Sequence, residues 1–364
     1  MTAEPIRLFL AGDVMTGRGI DQILRHPGDP RLYERYMTSA ADYVTLAERH
    51  SGPIPRGVTG DYLWGELLDE IERRNCDLRI VNLETAITTA AQPEPKGINY
   101  RMNPANIGVL TAARIDACGL ANNHVMDWGE AGLVETLATL ERAGIACAGA
   151  GRDARAATAP AVLPLAGGGR LLLLAFASSD SGVPLHWDAP PDRPGLALLP
   201  ADPVAATIRA VAGLRRPGDI LLVSLHWGGN WGYAVPDSQR RLARALIGEA
   251  GAQVVFGHSS HHPKGIERIG DGIALYGCGD LINDYEGIGG EEAYRPQLGL
   301  AYFLDLDRRD GRFRGLEMLA LERHRFRLRR ASPEDAVWLQ QSLARVPLGP
   351  APRLDPDGTL RLEA

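Results

Sequence analysis

The feature that most constrains this chain is a series of short apolar runs without polar alternation, each followed at once by polar residues. "IRLFLA" from Ile6, "LRIVNL" from Leu78, "IDACGL" from Ile115 and "ILLVSL" from Ile220 are the clearest, and "AQVVFG" from Ala252 and "IALYG" from Ile273 extend the series. Successive strand side chains point to opposite faces, so a strand apolar at every position must be covered on both. Between the runs, "GEAGLVETLATLERAG" from Gly129 and "DSQRRLARALIGEAG" from Asp237 place Leu and Ala at helical spacing and end near Gly. Strand and helix in alternation predict an α/β fold with a mainly parallel sheet.

Residues 25–55 break the rhythm with prolines, charges and tyrosines and read as a loop insertion. From Leu298 the pattern changes: "LGLAYFLDLD" and "FRGLEMLALE" predict antiparallel strands around a "RRDGR" turn. "SPEDAVWLQQSLARV" then predicts a helix with Ser332 as N-cap and Pro333 at the first helical position. The expected organisation is one domain over residues 1–330, with a helix and tail at 331–364 packed on it.

A net charge of −6 argues against nucleic acid as a partner, and "RHRFRLRR" from Arg323 reads as a solvated strand or loop. Cys76, Cys118, Cys147 and Cys278 lack CxxC spacing and are expected as free thiols. The start "MTAEPIRLFLAGD" lacks the basic and apolar segments of a signal peptide, and the longest apolar run, "LLLLAFA" from Leu171, is too short to span a bilayer. The expectation is a cytoplasmic protein without a membrane anchor; the oligomeric state is not legible.

Ligand-type residues follow strand after strand: Asp13; Asn82 and Glu84; Asn122, Asn123, His124 and Asp127; His226; His258, His261 and His262; Asp280 and Asp284. The carboxyl ends of parallel strands share one edge, where ligands bind. If the strands are neighbours, imidazole, carboxylate and amide groups converge there, a donor set suited to a divalent cation. Taken singly, Asp13 also fits a helix N-cap, and Asn122 or Asn123 fits a turn.

The ordered motifs "GDVMTGRG", "NLETAIT", "LANNHVMDWGEAGL", "SLHWGGNWGY" and "GHSSHHPKGIE…ALYGCGDLINDY" resemble the CapA family of bacterial capsule and poly-γ-glutamate synthesis. The resemblance runs from about Ile6 to Leu306. It implies a calcineurin-like metallophosphatase fold, a sandwich of two β-sheets flanked by helices with the site at their shared edge. Against the two-metal phosphatase pattern, Met15 stands where Asp-x-His would supply an imidazole, and Glu84 stands nearest the shared aspartate. That departure points to one divalent ion (Ca, Mn, Mg or Zn) and away from a two-metal phosphoesterase.

The expected ligands are Glu84, Asn123 and His258. Asp13, His124, His226, His261 and Asp127 are assigned to proton transfer or orientation, with Asp280 as a further carboxylate partner. Arg101 is the candidate to meet a substrate carboxylate, and Trp227, Trp231 and Tyr233 to seat a side chain, with a core-edge ion pair and core packing as the competing roles. The soluble branch of the family includes lasso-peptide epimerases, and the first functional reading is inversion of a C-terminal Cα of a peptide by two-base proton transfer. The alternatives are a metal-dependent hydrolase (phosphoesterase or amidase) or a CapA-type component acting on a polyglutamate-like polymer.

Overall fold

The unbroken apolar runs become strands buried on both faces in the protein's structure, a computed structural model that describes residues 4–364. One sheet has ten strands. Its parallel half is β1 (Ile6–Val14), β2 (Leu78–Leu83), β3 (Ala117–Gly119) and β4 (Ala146–Ala148), neighbours in that order. A second sheet of six strands has a parallel centre of β5 (Arg170–Ala177), β6 (Ile220–His226), β7 (Val254–His258) and β8 (Gly272–Leu275), again neighbours in order. The chain then returns to the first sheet. β9 (Asp280–Ile282) runs parallel beside the end of β1, and β10 (Leu298–Leu306), β11 (Phe313–His324) and β12 (Thr359–Glu363) extend it antiparallel.

The two faces of β6 show why its run is unbroken. Ile220 and Leu222 join Leu8, Ile80 and Ala117 of the first sheet in one core, whereas Leu221, Val223 and Leu225 join a second core. That second core includes Ala243 and Leu246 of the helix Asp237–Gly248. The result is the two-sheet α/β sandwich with flanking helices that the resemblance implies. The antiparallel β10–β12 half makes the first sheet mixed rather than mainly parallel: β10 and β11 are joined by a short turn that needs no crossover helix, and β12 returns from the C-terminal tail to pair with β11.

In the 25–55 segment the helix Ala40–Ser51 buries Tyr43 and Val44. Ser332 caps the helix Pro333–Leu343 through its Oγ, which accepts from Asp335 N at 3.1 Å, and Leu339 and Leu343 enter the main core. All four cysteines are free. Among the described residues, no helix is long and apolar enough to cross a membrane.

The position of β9 matters for the site. A Cβ on Gly12 would lie 2.0 Å from Gly279 O, so only glycine lets β9 approach β1 here. Asp13 N donates to Gly279 O at 3.0 Å, and Asp13 and Asp280 become register partners.

Candidate metal centre and active site

The carboxyl ends of both sheets' parallel strands meet at one edge, and the ligand-type residues meet there. Asp13, Glu84, His226, His258 and Asp280 are all buried. A cross-sheet hydrogen bond closes the edge: Ser259 N donates to Asp13 Oδ2 at 3.1 Å. Ser259 is a non-glycine residue at φ 96°, a sparsely populated conformation of the kind found at functional sites.

Asp13 is the hub. Its Oδ1 accepts from Asn82 Nδ2 at 2.7 Å, and Asn82 Oδ1 accepts from Asn122 Nδ2 at 3.1 Å. Ligand atoms of Asp13, His226 and His258 lie within 4.8 Å of one another, and so do those of Asp13, His261 and Asp280. Asp13, expected as a proton-transfer group, thus stands where either set would need a ligand. Because Asp13 is common to both, the single-ion expectation drawn from Met15 gains no support from the geometry. Met15 itself is buried with Tyr285 Oη 3.8 Å from its sulfur.

His226 bridges two parts of the edge. Its Nδ1 is 2.8 Å from His258 Nδ1, and its Nε2 is 3.1 Å from Asn123 Oδ1 and 3.9 Å from Glu84 Oε1. His258 Nε2 is 2.7 Å from Ser224 Oγ. Burial, reinforced by the neighbouring histidines, holds His226 well below its ordinary pKa, and burial pushes His258 down to about 3. Both rings are therefore neutral at pH 7, the form that ligates metals.

The carboxylates show the opposite strain. Burial, then the charge of Asp280, raises Asp13 to about 7. Burial, then Asp13 and Asp280, holds Glu84 well above the usual carboxylate range. Glu84 Oε2 is buried and has no hydrogen-bond partner among the described residues. Crowded buried carboxylates, one with an orphaned oxygen, beside neutral imidazoles form a donor set that fits a divalent cation.

A second unit lies beside Glu84. His124 Nδ1 is 2.7 Å from Asp127 Oδ2, which also accepts from Tyr100 N at 2.6 Å. Asp127 Oδ1 accepts from Lys96 Nζ at 2.7 Å, and Lys96 also donates to Asn123 O. With Nδ1–H directed at Asp127, His124 presents Nε2 toward Glu84 Oε1 at 3.9 Å. Burial outweighs the pull of Asp127 and lowers His124 to about 4. On the other side, His261 Nδ1 is 2.9 Å from Asp280 Oδ1, and Asp280 Oδ2 accepts from Asn283 Nδ2 at 2.7 Å. Burial alone would lower His261, but Asp280 overrides it and the ring is held above its ordinary value.

Other expected residues lie apart. Arg101 donates to Ala90 O and Asp29 O, each at 2.8 Å, and lies over Trp128, so it anchors a loop in place of a free carboxylate clamp. Trp227 is core: its Nε1 donates to Tyr276 O at 3.0 Å and its ring stacks on Tyr276. Trp231 and Tyr233 are half-buried and pack on His262, which is itself stacked on Tyr294. Asn122 holds its turn, Oδ1 accepting from His124 N and Val125 N. Lys96, Ser224 and Ser259 were not singled out in the sequence; Lys96 lies in an aperiodic "PEPKGINY" loop that gives no positional signal.

The model of the family described as "Bacterial capsule synthesis protein PGA_cap" matches residues 7–285. A probable polyglutamine synthesis accessory protein of Mycobacterium tuberculosis is 46% identical over 351 residues, covering 94% of this chain and 91% of that protein. The PGA biosynthesis protein CapA of Bacillus subtilis is 27% identical over 276 residues, 75% of this chain and 62% of its own. The capsule biosynthesis protein CapA of Bacillus anthracis is 24% identical over 285 residues, 77% and 60% respectively.

Proposed function

This chain belongs to the bacterial capsule synthesis protein (PGA_cap) family, and from that membership and the geometry of its buried edge we propose that it is a metal-dependent amide hydrolase that trims a glutamyl- or glutaminyl-type polymer as an accessory to its synthesis. The observation that carries the reading is Asp13, shared by two buried groups of cation-ligating atoms, with the orphaned carboxylate oxygen of Glu84 beside it. Asp13, His226 and His258 would hold one ion, with Glu84 and Asn123 beside His226. Asp13, His261 and Asp280 would hold another. A bound divalent cation supplies Lewis acidity toward a carbonyl oxygen.

The chain's own residues supply the proton chemistry. His124, oriented by Asp127, offers Nε2 to the centre and can hold or release a proton there. Lys96 fixes the carboxylate that fixes His124.

The relatives above are named for polymer and capsule synthesis and not for peptide epimerisation, so the capsule-type alternative replaces the first functional reading of the sequence. One experiment addresses both. Metal-loaded protein is incubated in D₂O with α- and γ-linked oligomers of glutamate and glutamine, and the products are read by mass spectrometry. Shortened oligomers, lost on chelation and in His124→Ala, support the proposal. Intact oligomers in every arm contradict it, and intact oligomers one dalton heavier at one Cα would point back to epimerisation.

A further inference from the structure

Tyr285 lies just after β9 at the same edge and is tied to it through Asn283. Asn283 Nδ2 donates to Asp280 Oδ2 at 2.7 Å, and Asn283 Oδ1 accepts from Tyr285 N at 3.1 Å. The Tyr285 ring meets His261 edge-on with centroids 5.3 Å apart, and Tyr100 meets His124 in the same way at 4.5 Å. One tyrosine thus stands against each of the two imidazole–carboxylate pairs, His261–Asp280 and His124–Asp127. With His261 and Trp231, both tyrosines line a cavity of about 200 Å³. Arg18 packs 4.7 Å from the Tyr100 centroid and 5.9 Å from that of Tyr285 and is itself held by Asp284 and Glu34, so the two rings are fixed in advance.

Counting the hydroxyl protons shows which one is free. Tyr100 Oη donates to Tyr285 Oη at 3.3 Å, which leaves the Tyr285 proton directed at the Met15 sulfur, 3.8 Å away. A thioether is a weak acceptor, and among the described residues the Tyr285 hydroxyl has no other partner. A strong acceptor at position 15 would hold that proton; methionine leaves it available. A phenol stays protonated at neutral pH, so the group is a donor and not a base. A fixed donor at a buried edge is the arrangement that stabilises charge developing on a carbonyl oxygen.

We infer that Tyr285 is a further catalytic residue of this site, whose hydroxyl turns from Met15 to the carbonyl oxygen of an amide in the cavity. As water adds to the carbonyl carbon, one of its protons passes to His124 Nε2 and the carbonyl π pair moves onto the oxygen. Tyr285 donates a hydrogen bond to that oxygen and keeps its own proton. Return of the pair breaks the C–N bond, and the proton held by His124 goes to the departing nitrogen. Tyr100 is a positioning residue, since its own O–H polarises the Tyr285 hydroxyl. This rests on the proposed amide hydrolysis, which it deepens by naming the oxyanion donor.

The test compares a ground-state probe with a tetrahedral anionic one by calorimetry. The first is an acetylated γ-linked glutamyl tetramer; the second is the same chain with one amide replaced by a phosphinate. Both are titrated into metal-loaded protein in the His124→Ala background, where the amide is not turned over. Adding Tyr285→Phe, which keeps the ring and removes only the hydroxyl, should weaken phosphinate binding by about 10–100-fold. Amide binding should stay within about two-fold and metal content should be unchanged, which a merely structural role would not give. Tyr100→Phe should weaken the phosphinate by less. Phosphinate binding unmoved by Tyr285→Phe overturns the inference, as does equal loss of both probes or binding of neither by the parent. Phosphinate binding that depends on Tyr285, with no oligomer shortened by the intact chain, would remove the polymer reading and keep the donor. Oligomers shortened by Tyr285→Phe alone at an undiminished rate would keep the hydrolase and remove the donor.

Discussion

The Nδ1 atoms of His226 and His258 face each other across 2.8 Å, on neighbouring strands where the two residues are register partners. Two neutral imidazoles can share one proton there, but a cation at the same place accepts both lone pairs at once. Ser224 Oγ, 2.7 Å from His258 Nε2, fixes which face His258 turns to the centre. Outer partners of this kind typically contribute about 10–100-fold in metal affinity. Ser224→Ala is therefore expected to weaken metal binding by about that factor without unfolding the protein, as measured by competition with a chromogenic chelator.

The carboxyl of Asp13 gives the metal-free protein a specific pH dependence. Its pKa is raised from an unfolded value of 3.8 to about 7 by burial and by Asp280. For a raised folded value, the stability contribution is fully present below the unfolded pKa and is lost as pH rises through the folded one. Metal-free Asp13→Asn should thus gain thermal stability relative to the unsubstituted protein as pH rises from about 4 to about 7, and the difference should level off above that. The buried imidazoles His124 and His258 are common to both proteins and cancel. Added divalent cation should reverse the order at pH 8, because the ionised carboxylate ligates it more strongly than the neutral amide of the variant.

Proton transfer and metal holding should separate genetically. His124→Ala is expected to lower turnover by about 10²–10⁴-fold, the usual range for a positioned acid–base group, with metal content unchanged. Lys96→Met should lower turnover less while shifting the pH profile, since it removes the cation holding Asp127 Oδ1 but leaves the His124–Asp127 contact at 2.7 Å. Steady-state rates across pH, with metal analysis of each preparation, check both.

The Arg18–Asp284 pair is fully buried, at 2% and 0% side-chain exposure. Breaking such a pair typically costs about 3–5 kcal/mol; here Glu34 would still balance Arg18, and the loss is that of the two charge-assisted hydrogen bonds from Arg18 Nε and Nη2, so the lower end of that range is expected. Asp284→Ala should lower the unfolding free energy measured in urea by a corresponding amount, whereas Glu48→Ala, whose pair with Arg56 is largely solvent-exposed, should change it by less than about 1 kcal/mol.

The strands and their polar ends were legible because burial on both faces writes itself into sequence as unbroken apolar runs. The convergence of Asp13, Glu84, Asn123, His226 and His258 follows from parallel strands sharing one edge. What was not legible depends on which way a side chain turns after its strand ends. Trp227 and Trp231 are four residues apart in one loop, yet one fills a core behind Tyr276 and the other borders the cavity. Arg101 meets carbonyls that only the folded loop brings near it. Lys96 gave no signal because its partners, Asp127 and the Asn123 carbonyl, are about thirty residues away and its own loop has no period. Asp280 is legible as a ligand-type residue after its strand, but that it stands directly beside Asp13 follows from the pairing of β9 with β1, which motif spacing does not specify.

The most direct test of the account is the metal content of purified protein after dialysis against a mixture of Zn²⁺, Mn²⁺ and Ca²⁺, measured by mass spectrometry for the unsubstituted chain and for Asp13→Asn. The account predicts at least one equivalent of tightly held divalent ion in the former and a loss of most of it in the latter. A protein that holds no ion under these conditions, or an Asp13→Asn variant that holds as much as its parent, would contradict the central claim that Asp13 organises a cation site.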